Sequence, residues 1–243
     1  MIAIKTINLK KKFKNTIAVD AINLEIPEGL FFALLGLNGA GKTTTVKMLS
    51  GILKPTSGDA LMLGASIISD LAVVKENINV SPQETAIAPN LTVYENLQFI
   101  ARIYGLTKKD AIARVNEMIE LFGLSAYAKD KAKKLSGGFK RRLSIAMALI
   151  SKPKILFLDE PTLGLDIRSR RELWRTLKML KGKTTLLLTT HYLDEVEALA
   201  DRIGIMDAGK LKITGTIPEL KEKTKLDKLE DIFLSFVEEE VAI

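Results

Sequence analysis

The spacing of hydrophobic positions changes several times along the chain, and the changes divide it into elements. Residues 2–9 and 21–26 read as strands. In the second, Ile22, Leu24 and Ile26 alternate with Asn23 and Glu25, the pattern of a half-buried strand. Pro27-Glu28-Gly29 predicts a turn. Residues 30–35 are apolar throughout, too apolar for a sheet edge, and predict a central strand. Residues 44–49 predict a short helix, 54–59 a loop, and 60–63 and 78–81 two strands, the second broken by Pro82-Gln83. Helical spacing returns at 92–104, where Val93, Leu97 and Ile100 share a face, and at 108–122. These helices interrupt an alternation of strands and helices and predict an inserted helical lobe over about 84–150. Leu135-Ser136-Gly137-Gly138 then opens a helix that buries Leu143, Met147 and Ile150. A strand ending at Asp159-Glu160, a helix over 167–181 and a strand over 184–189 follow. Residues 203–206 and 211–214 predict a hairpin around Asp207-Ala208-Gly209-Lys210. From 217 the chain is charged and helical in pattern. Strands and helices alternating in this way predict an α/β fold.

The stretch from Gly36 to Thr44, Gly36-Leu37-Asn38-Gly39-Ala40-Gly41-Lys42-Thr43-Thr44, joins the apolar strand to the first helix. Its glycines let the backbone take positive φ and approach a ligand without an intervening Cβ. Successive N–H groups can then converge on an anion at the positive end of the helix. Lys42 supplies a mobile cation for β- and γ-phosphates, and the Thr43 hydroxyl is placed to ligate Mg²⁺. This pattern predicts nucleotide binding.

Composition narrows the setting. The chain has 243 residues, enough for a full α/β core. It lacks cysteine, so disulfide frameworks and thiolate chemistry are excluded. No apolar run approaches the roughly 18 residues that cross a bilayer, and the first residues lack a signal-peptide layout. The expected location is the cytoplasm. The formal charge of +7 is dispersed, apart from small clusters at Lys10-Lys11-Lys12 and Lys140-Arg141-Arg142. Dispersed charge fits a soluble surface better than a nucleic-acid groove, so no nucleic acid is expected as a partner.

Other residues carry chemistry by position. Asp159 and Glu160 end a buried strand, and carboxylates there face the ligand crevice of a parallel sheet. Asp159 can hold Mg²⁺ and Glu160 can activate a water. His191, the single histidine, follows another strand end, where imidazole could bond a γ-phosphate. Phe13 either packs at a strand end or offers a face to a purine. Ser136, Gly137 and Gly138 expose N–H groups at a second helix start, a second anion site. Lys140, Arg141 and Arg142 crowd the same turn against the helix dipole. The arrangement hints at a nearby anion, but a solvated face is the expectation for the three side chains.

Taken together, these motifs resemble those of the ATP-binding subunits of ABC transporters, over nearly the whole chain. Residues 36–44 are similar to their Walker A, 155–160 to their Walker B, and Leu135-Ser136-Gly137-Gly138 to their signature. Gln83 stands at the place of the Q-loop glutamine and Gly164-Leu165-Asp166 at that of the D-loop. His191 matches the switch histidine and Phe13 the adenine-stacking aromatic. Phe139 stands where many relatives carry glutamine. The stretch 138–143, with Leu229-Glu230-Asp231-Ile232-Phe233, is more similar to the multidrug and ABC-2-type export group.

The resemblance implies a P-loop NTPase core of the ABC type, a mixed β-sheet with flanking helices, with an antiparallel β subdomain and the inserted α-helical lobe. It implies an ABC ATPase domain over 1–228 and a short C-terminal tail over 229–243. ATP is expected against Phe13, Gly36, Asn38, Gly39, Ala40, Gly41, Lys42, Thr43 and Thr44, and Mg²⁺ on Thr43, Gln83 and Asp159. Glu160, His191, Gln83 and Lys42 are the expected catalytic set, and Asp166 the D-loop residue. Leu135, Ser136, Gly137 and Gly138 are expected to touch ATP in trans. A second anion-binding helix start can serve the same nucleotide only from another copy or a homologue, which predicts a head-to-tail dimer around two ATP. The function implied is ATP hydrolysis driving export through a separate transmembrane permease, which would hold the chain on the inner face of the membrane. Residues 84–97, with Ala86, Ile87 and Ala88, are the expected permease contact. The alternative is a soluble ABC ATPase acting on nucleic acid or ribosomes. Against it stand the lack of a long coiled coil between Lys42 and Asp159 and the presence of one ATPase domain rather than two.

Overall fold

β1 (Ile2–Phe13) and β2 (Thr16–Pro27) form an antiparallel hairpin longer than their apolar alternation predicts. The extra length lies in residues 10–13 of β1 and 16–20 of β2, which pair with each other at the closed end of the hairpin, where β1 carries lysines instead of an apolar face. β3 (Phe31–Leu35) is buried at all five positions. It leads through the glycine loop into α1 (Lys42–Leu49). Next come β4 (Ser57–Met62), β5 (Ala65–Ser66), α2 (Leu71–Asn77) and β6 (Ile78–Ser81). α2 went unpredicted because it buries a single residue, Val74, and so shows no periodic face. α3 (Val93–Ile103), α4 (Lys108–Leu121) and α5 (Gly137–Leu149) follow. The chain continues with β7 (Ile155–Asp159), α6 (Ile167–Lys178), β8 (Thr185–Thr190) and α7 (Leu193–Leu199). It closes with β9 (Arg202–Asp207), β10 (Lys210–Gly215), α8 (Ile217–Thr224) and α9 (Leu229–Val237). The structure, a computed structural model, describes residues 1–237.

The strands form two sheets. One is antiparallel, in the order β2-β1-β4-β5. The other is mixed, in the order β10-β9-β3-β8-β7-β6, with β10 antiparallel to β9 and the remaining pairings parallel. β3 is hydrogen-bonded to both β8 and β9 and separates two cores. Phe31, Ala33 and Leu35 face the helices of the lobe and α6, while Phe32 and Leu34 face α1 and the antiparallel sheet. Each such fully buried Leu or Phe contributes about 1.5–3 kcal/mol relative to exposure. The glycine loop is therefore anchored by a strand that is held on both faces.

α3 begins with a capping box at Thr92 and Glu95, which sets the entry of the lobe. α5 packs against α3 and α4 and also against β6 and β7, so the lobe shares its last helix with the sheet. The segment from 229 starts as α9, whose Leu229, Ile232 and Phe233 are buried in the lobe-side core. Of the expected tail, residues 238–243 lie outside the described part. Among the described residues no helix is long and apolar enough to cross a membrane.

Candidate functional site

Three parallel strands, β3, β7 and β8, end side by side, and the loops after them converge on one crevice. α1 starts from Gly41, at φ 102°, with no side-chain cap on its first amides. Those N–H groups remain directed at the loop instead of at a capping oxygen. A Cβ at Gly41 would lie 2.4 Å from the Ala18 carbonyl, and one at Gly36 would lie 2.3 Å from that of Met206. Both glycines are thus required by close backbone packing. Gly39, at φ 87°, has open space around it and meets the need for positive φ alone.

A cavity of about 220 Å³ lies over this helix start, lined by Asn38, Gly39, Gly41, Lys42, Thr43, Thr44, Gln83, Glu160 and His191, with Ala18 and Leu163 at its margin. Gly36 and Ala40, also expected against ATP, are buried in the loop and do not line the cavity. Lys42 is buried, with Nζ donating to the carbonyls of Gly36 (2.8 Å) and Leu37 (3.1 Å) and lying 3.4 Å from Glu160 Oε1. Thr43 Oγ1 donates to Asp159 Oδ1 at 3.0 Å, and Thr189 Oγ1 donates to the same oxygen. Thr189 also accepts from the Glu160 N–H, through its hydroxyl and its carbonyl, both at 3.1 Å.

Glu160 has φ 47°, a left-handed backbone at a residue that precedes a proline. Prolines push the preceding residue toward extended geometry, so this conformation is costly, on the order of 1–2 kcal/mol. It turns the carboxylate out of the strand and into the crevice. His191 Nδ1 lies 2.9 Å from Glu160 Oε2. The approach lacks hydrogen-bond alignment, and both atoms are buried without a hydrogen-bond partner among the described residues. Two unpaired polar atoms beside a phosphate-sized cavity are what a γ-phosphate and its attacking water would use.

The signature residues are elsewhere. Ser136 is the N-cap of α5, accepting from the Phe139 N–H, and Ser136 and Gly137 are exposed and do not line the cavity. Gly138 has a packing reason to be glycine, since a Cβ there would lie 2.7 Å from Ser169 Oγ of α6. Asp166 caps α6, accepting from the Ser169 N–H at 2.9 Å and hydroxyl at 2.7 Å, and these bonds hold its carboxyl below the usual range. The solvated face expected for the basic cluster is not found at two of its three residues. Arg141 and Arg142 are buried; Arg142 pairs with Glu172, and Arg141 donates to four backbone carbonyls. Carbonyl acceptors and Glu172 offset the helix dipole that the cluster opposes.

Phe13 ends β1, is 46% exposed, and carries Lys11 Nζ 5.1 Å from its ring centroid. It does not line the cavity but stands on the hairpin whose Ala18 does. Of the three residues expected at the permease contact, Ala86 is exposed and Ile87 and Ala88 are half-buried. Ala86 lines a groove of about 140 Å³ with Pro82, Ile100, Tyr104 and Met147. Ile87 packs partly into the lobe core, and Ala88 is tied by both backbone groups to Asn96. The sequence carries no mark of Thr189 and Glu195, and it shows Arg141 only as one of a basic cluster. Glu195 is fully buried on α7, accepts from Trp174 Nε1 at 3.2 Å, and burial pushes its carboxyl up. Only its place in the segment after His191 could have flagged it.

Residues 19–163 match the sequence profile of the family described as ABC transporter, more than half of the chain. The chain belongs to the ABC transporter family. Within it this protein is an ATP-binding, ATP-hydrolysing subunit. The ABC subunit is 41% identical over 233 residues to the linearmycin resistance ATP-binding protein LnrL of Bacillus subtilis, covering 96% of this chain and 75% of that one. It is 43% identical over 220 residues to the daunorubicin/doxorubicin resistance ATP-binding protein DrrA of Streptomyces peucetius, 90% of this chain and 67% of that one. It also matches the human phospholipid-transporting ATPase ABCA3 at 42% identity, but spans 13% of that protein's length. Two solved structures share the fold. An ATP-binding subunit of an ABC transporter has a TM-score of 0.86 at 25% identity, covering 96% of this chain and 99% of the other. A dimeric ATP-binding cassette in a post-hydrolysis state, bound to ADP and Pi, has a TM-score of 0.80 at 25% identity, covering 88% and 98%.

Proposed function

We propose that this ABC subunit hydrolyses ATP in a symmetric dimer and drives export through a separate membrane protein. One observation carries the proposal. Lys42, Thr43, Gln83, Glu160 and His191 line a single cavity at a helix start, while Ser136 and Gly137 stand exposed outside it. A signature that lies outside its own site can serve that of another copy or a homologue, so the complete site is composite. The relatives named for drug resistance support the export direction.

In this reading the α1 amides and Lys42 bind the phosphates, exchanging the loop carbonyls for phosphate oxygens. Asp159 and Thr43 present hard oxygen donors 3.0 Å apart, and Gln83 lines the same cavity as Thr43, which fits Mg²⁺. Mg²⁺ held there would neutralise phosphate charge and leave the protein to place the water. Glu160 accepts the proton of the attacking water, and His191 contacts the γ-phosphate. The partner's Ser136 and amide groups complete the charge stabilisation from the opposite side.

The groove beside Ala86 receives the membrane partner. Phe99 and Ile103 on α3 are 54% and 62% exposed, an apolar patch suited to a partner helix. Gln83 lies at the junction of cavity and groove, so nucleotide and partner act on the same loop. The test is turnover in Glu160→Gln. Hydrolysis should fall by roughly 10²–10⁴ with ATP still bound, and near-normal turnover would overturn the assignment.

A further inference from the structure

Arg141 makes a set of contacts that the proposed chemistry does not use. Its side chain is 4% exposed. Nε donates to the Pro161 carbonyl at 2.9 Å, and Nη2 to the Asp159 carbonyl at 2.8 Å. Nη1 donates to the Gln83 carbonyl at 3.2 Å and to that of Pro82. One guanidinium thus fastens the carbonyls of the two residues that flank Glu160, Asp159 and Pro161, and the peptides on both sides of Gln83. The fork is planar and rigid, so a displacement of its base shifts all its donors together. Its base is α5, which begins at Ser136 and Gly137. Burial pushes the guanidinium down to about 10, while Asp159, Glu195 and Glu160 hold it up, so it stays charged at neutral pH.

We propose that Arg141 is a positioning residue that transmits contact at the signature end of α5 to Glu160 and Gln83 of its own chain, so that the two ATP sites of the dimer fire together. The inference rests on the composite site proposed above. In that arrangement Ser136 serves the nucleotide of the opposite site, and Arg141 sits one turn along the same helix. Movement of α5 must either carry the Pro82–Gln83 and Asp159–Pro161 peptides with it or leave buried donors and acceptors unpaired. Leaving them unpaired is the more expensive course. The link therefore runs from the partner's ATP, through Ser136 and α5, to the carboxylate that activates water on this chain's own ATP. Lysine cannot reproduce it, since one ammonium cannot span three segments.

Two variants test the link, Arg141→Lys and Arg141→Gln, each as the full chain with folding checked by thermal unfolding. Hydrolysis rate is measured against ATP concentration, and ATP affinity is measured separately in the Glu160→Gln background. The wild-type protein is expected to show sigmoidal turnover, with a Hill coefficient above 1 and limited by the number of sites, about 2. Both variants should bind ATP within roughly twofold of their parent, lose about 10–100-fold in kcat, as misplacement of a catalytic group does, and become hyperbolic. Wild-type kcat and Hill coefficient in either folded variant would overturn the proposal, as would hyperbolic turnover in the wild-type protein. A loss of affinity matching the loss of kcat would also overturn it, because Arg141 would then only hold the pocket together. Should Arg141→Gln not fold, Arg141→Lys carries the same criteria, since it keeps the charge and stem. A Glu160→Gln protein that binds ATP and stays monomeric would instead sink the composite site, and so marks that failure separately.

Discussion

Glu160 shows why some residues announce themselves and others do not. Asp159 and Glu160 stand out because carboxylates after four buried apolar residues have no structural excuse. Lys42 and Thr43 stand out because they follow glycines at fixed spacing. Thr189 and Arg141 carry no such local mark. Thr189 meets Asp159 across 30 positions of sequence and Arg141 meets Pro82 across 59, so their importance exists only once the strands are paired. For the same reason Arg141 reads as a solvated cation in the sequence and is a buried one in the fold. Phe13 remains a local matter. Its exposed ring is expected to stack on adenine, so Phe13→Ala should weaken ATP binding by about 1–3 kcal/mol, read by titration with ATP. Phe13→Tyr should leave affinity unchanged. Equal affinity in the alanine variant would reduce Phe13 to a strand-end packing residue.

Among the elements, those with an unbroken apolar run or a clear apolar face were legible and those without were not. β3 is apolar at all five positions and α3 shows a helical face, whereas α7, a helix of seven residues, is too short to establish a period. Close approaches between elements are equally invisible in a sequence. Gly138 looks like an anion-binding glycine, yet its missing Cβ is also what lets α5 meet Ser169 at the start of α6. Gly138→Ala should therefore lower stability by about 1–3 kcal/mol, the usual cost of overpacking, seen in urea unfolding. Adding Ser169→Gly removes the clash and should restore stability, while hydrolysis stays low because, in the proposed dimer, the methyl still faces the partner's nucleotide. Recovery of both together would leave Gly138 with packing as its whole role. The groove beside α3 makes a second prediction at this scale. Ala86→Glu should leave soluble ATPase activity near normal and abolish recruitment to membranes that contain the permease. Because Ile87 and Ala88 are tied into the lobe, charges there should also cost stability. Unchanged recruitment in Ala86→Glu would move the contact off this groove.

At the scale of the whole molecule, the arrangement we propose is a half-site. The phosphate loop and carboxylates converge on one crevice, and the exposed Ser136 and Gly137 lie outside it, so in the proposed dimer one chain is a donor to a second site and an acceptor at its own. Binding of ATP should then close two chains, and hydrolysis should release them. The measurement that bears on this most directly is the mass of Glu160→Gln in solution, by light scattering with size-exclusion chromatography, with and without ATP and Mg²⁺. A monomer without nucleotide that becomes a dimer retaining two ATP is the predicted result. A Glu160→Gln protein that binds ATP with full affinity and stays monomeric would contradict the composite site.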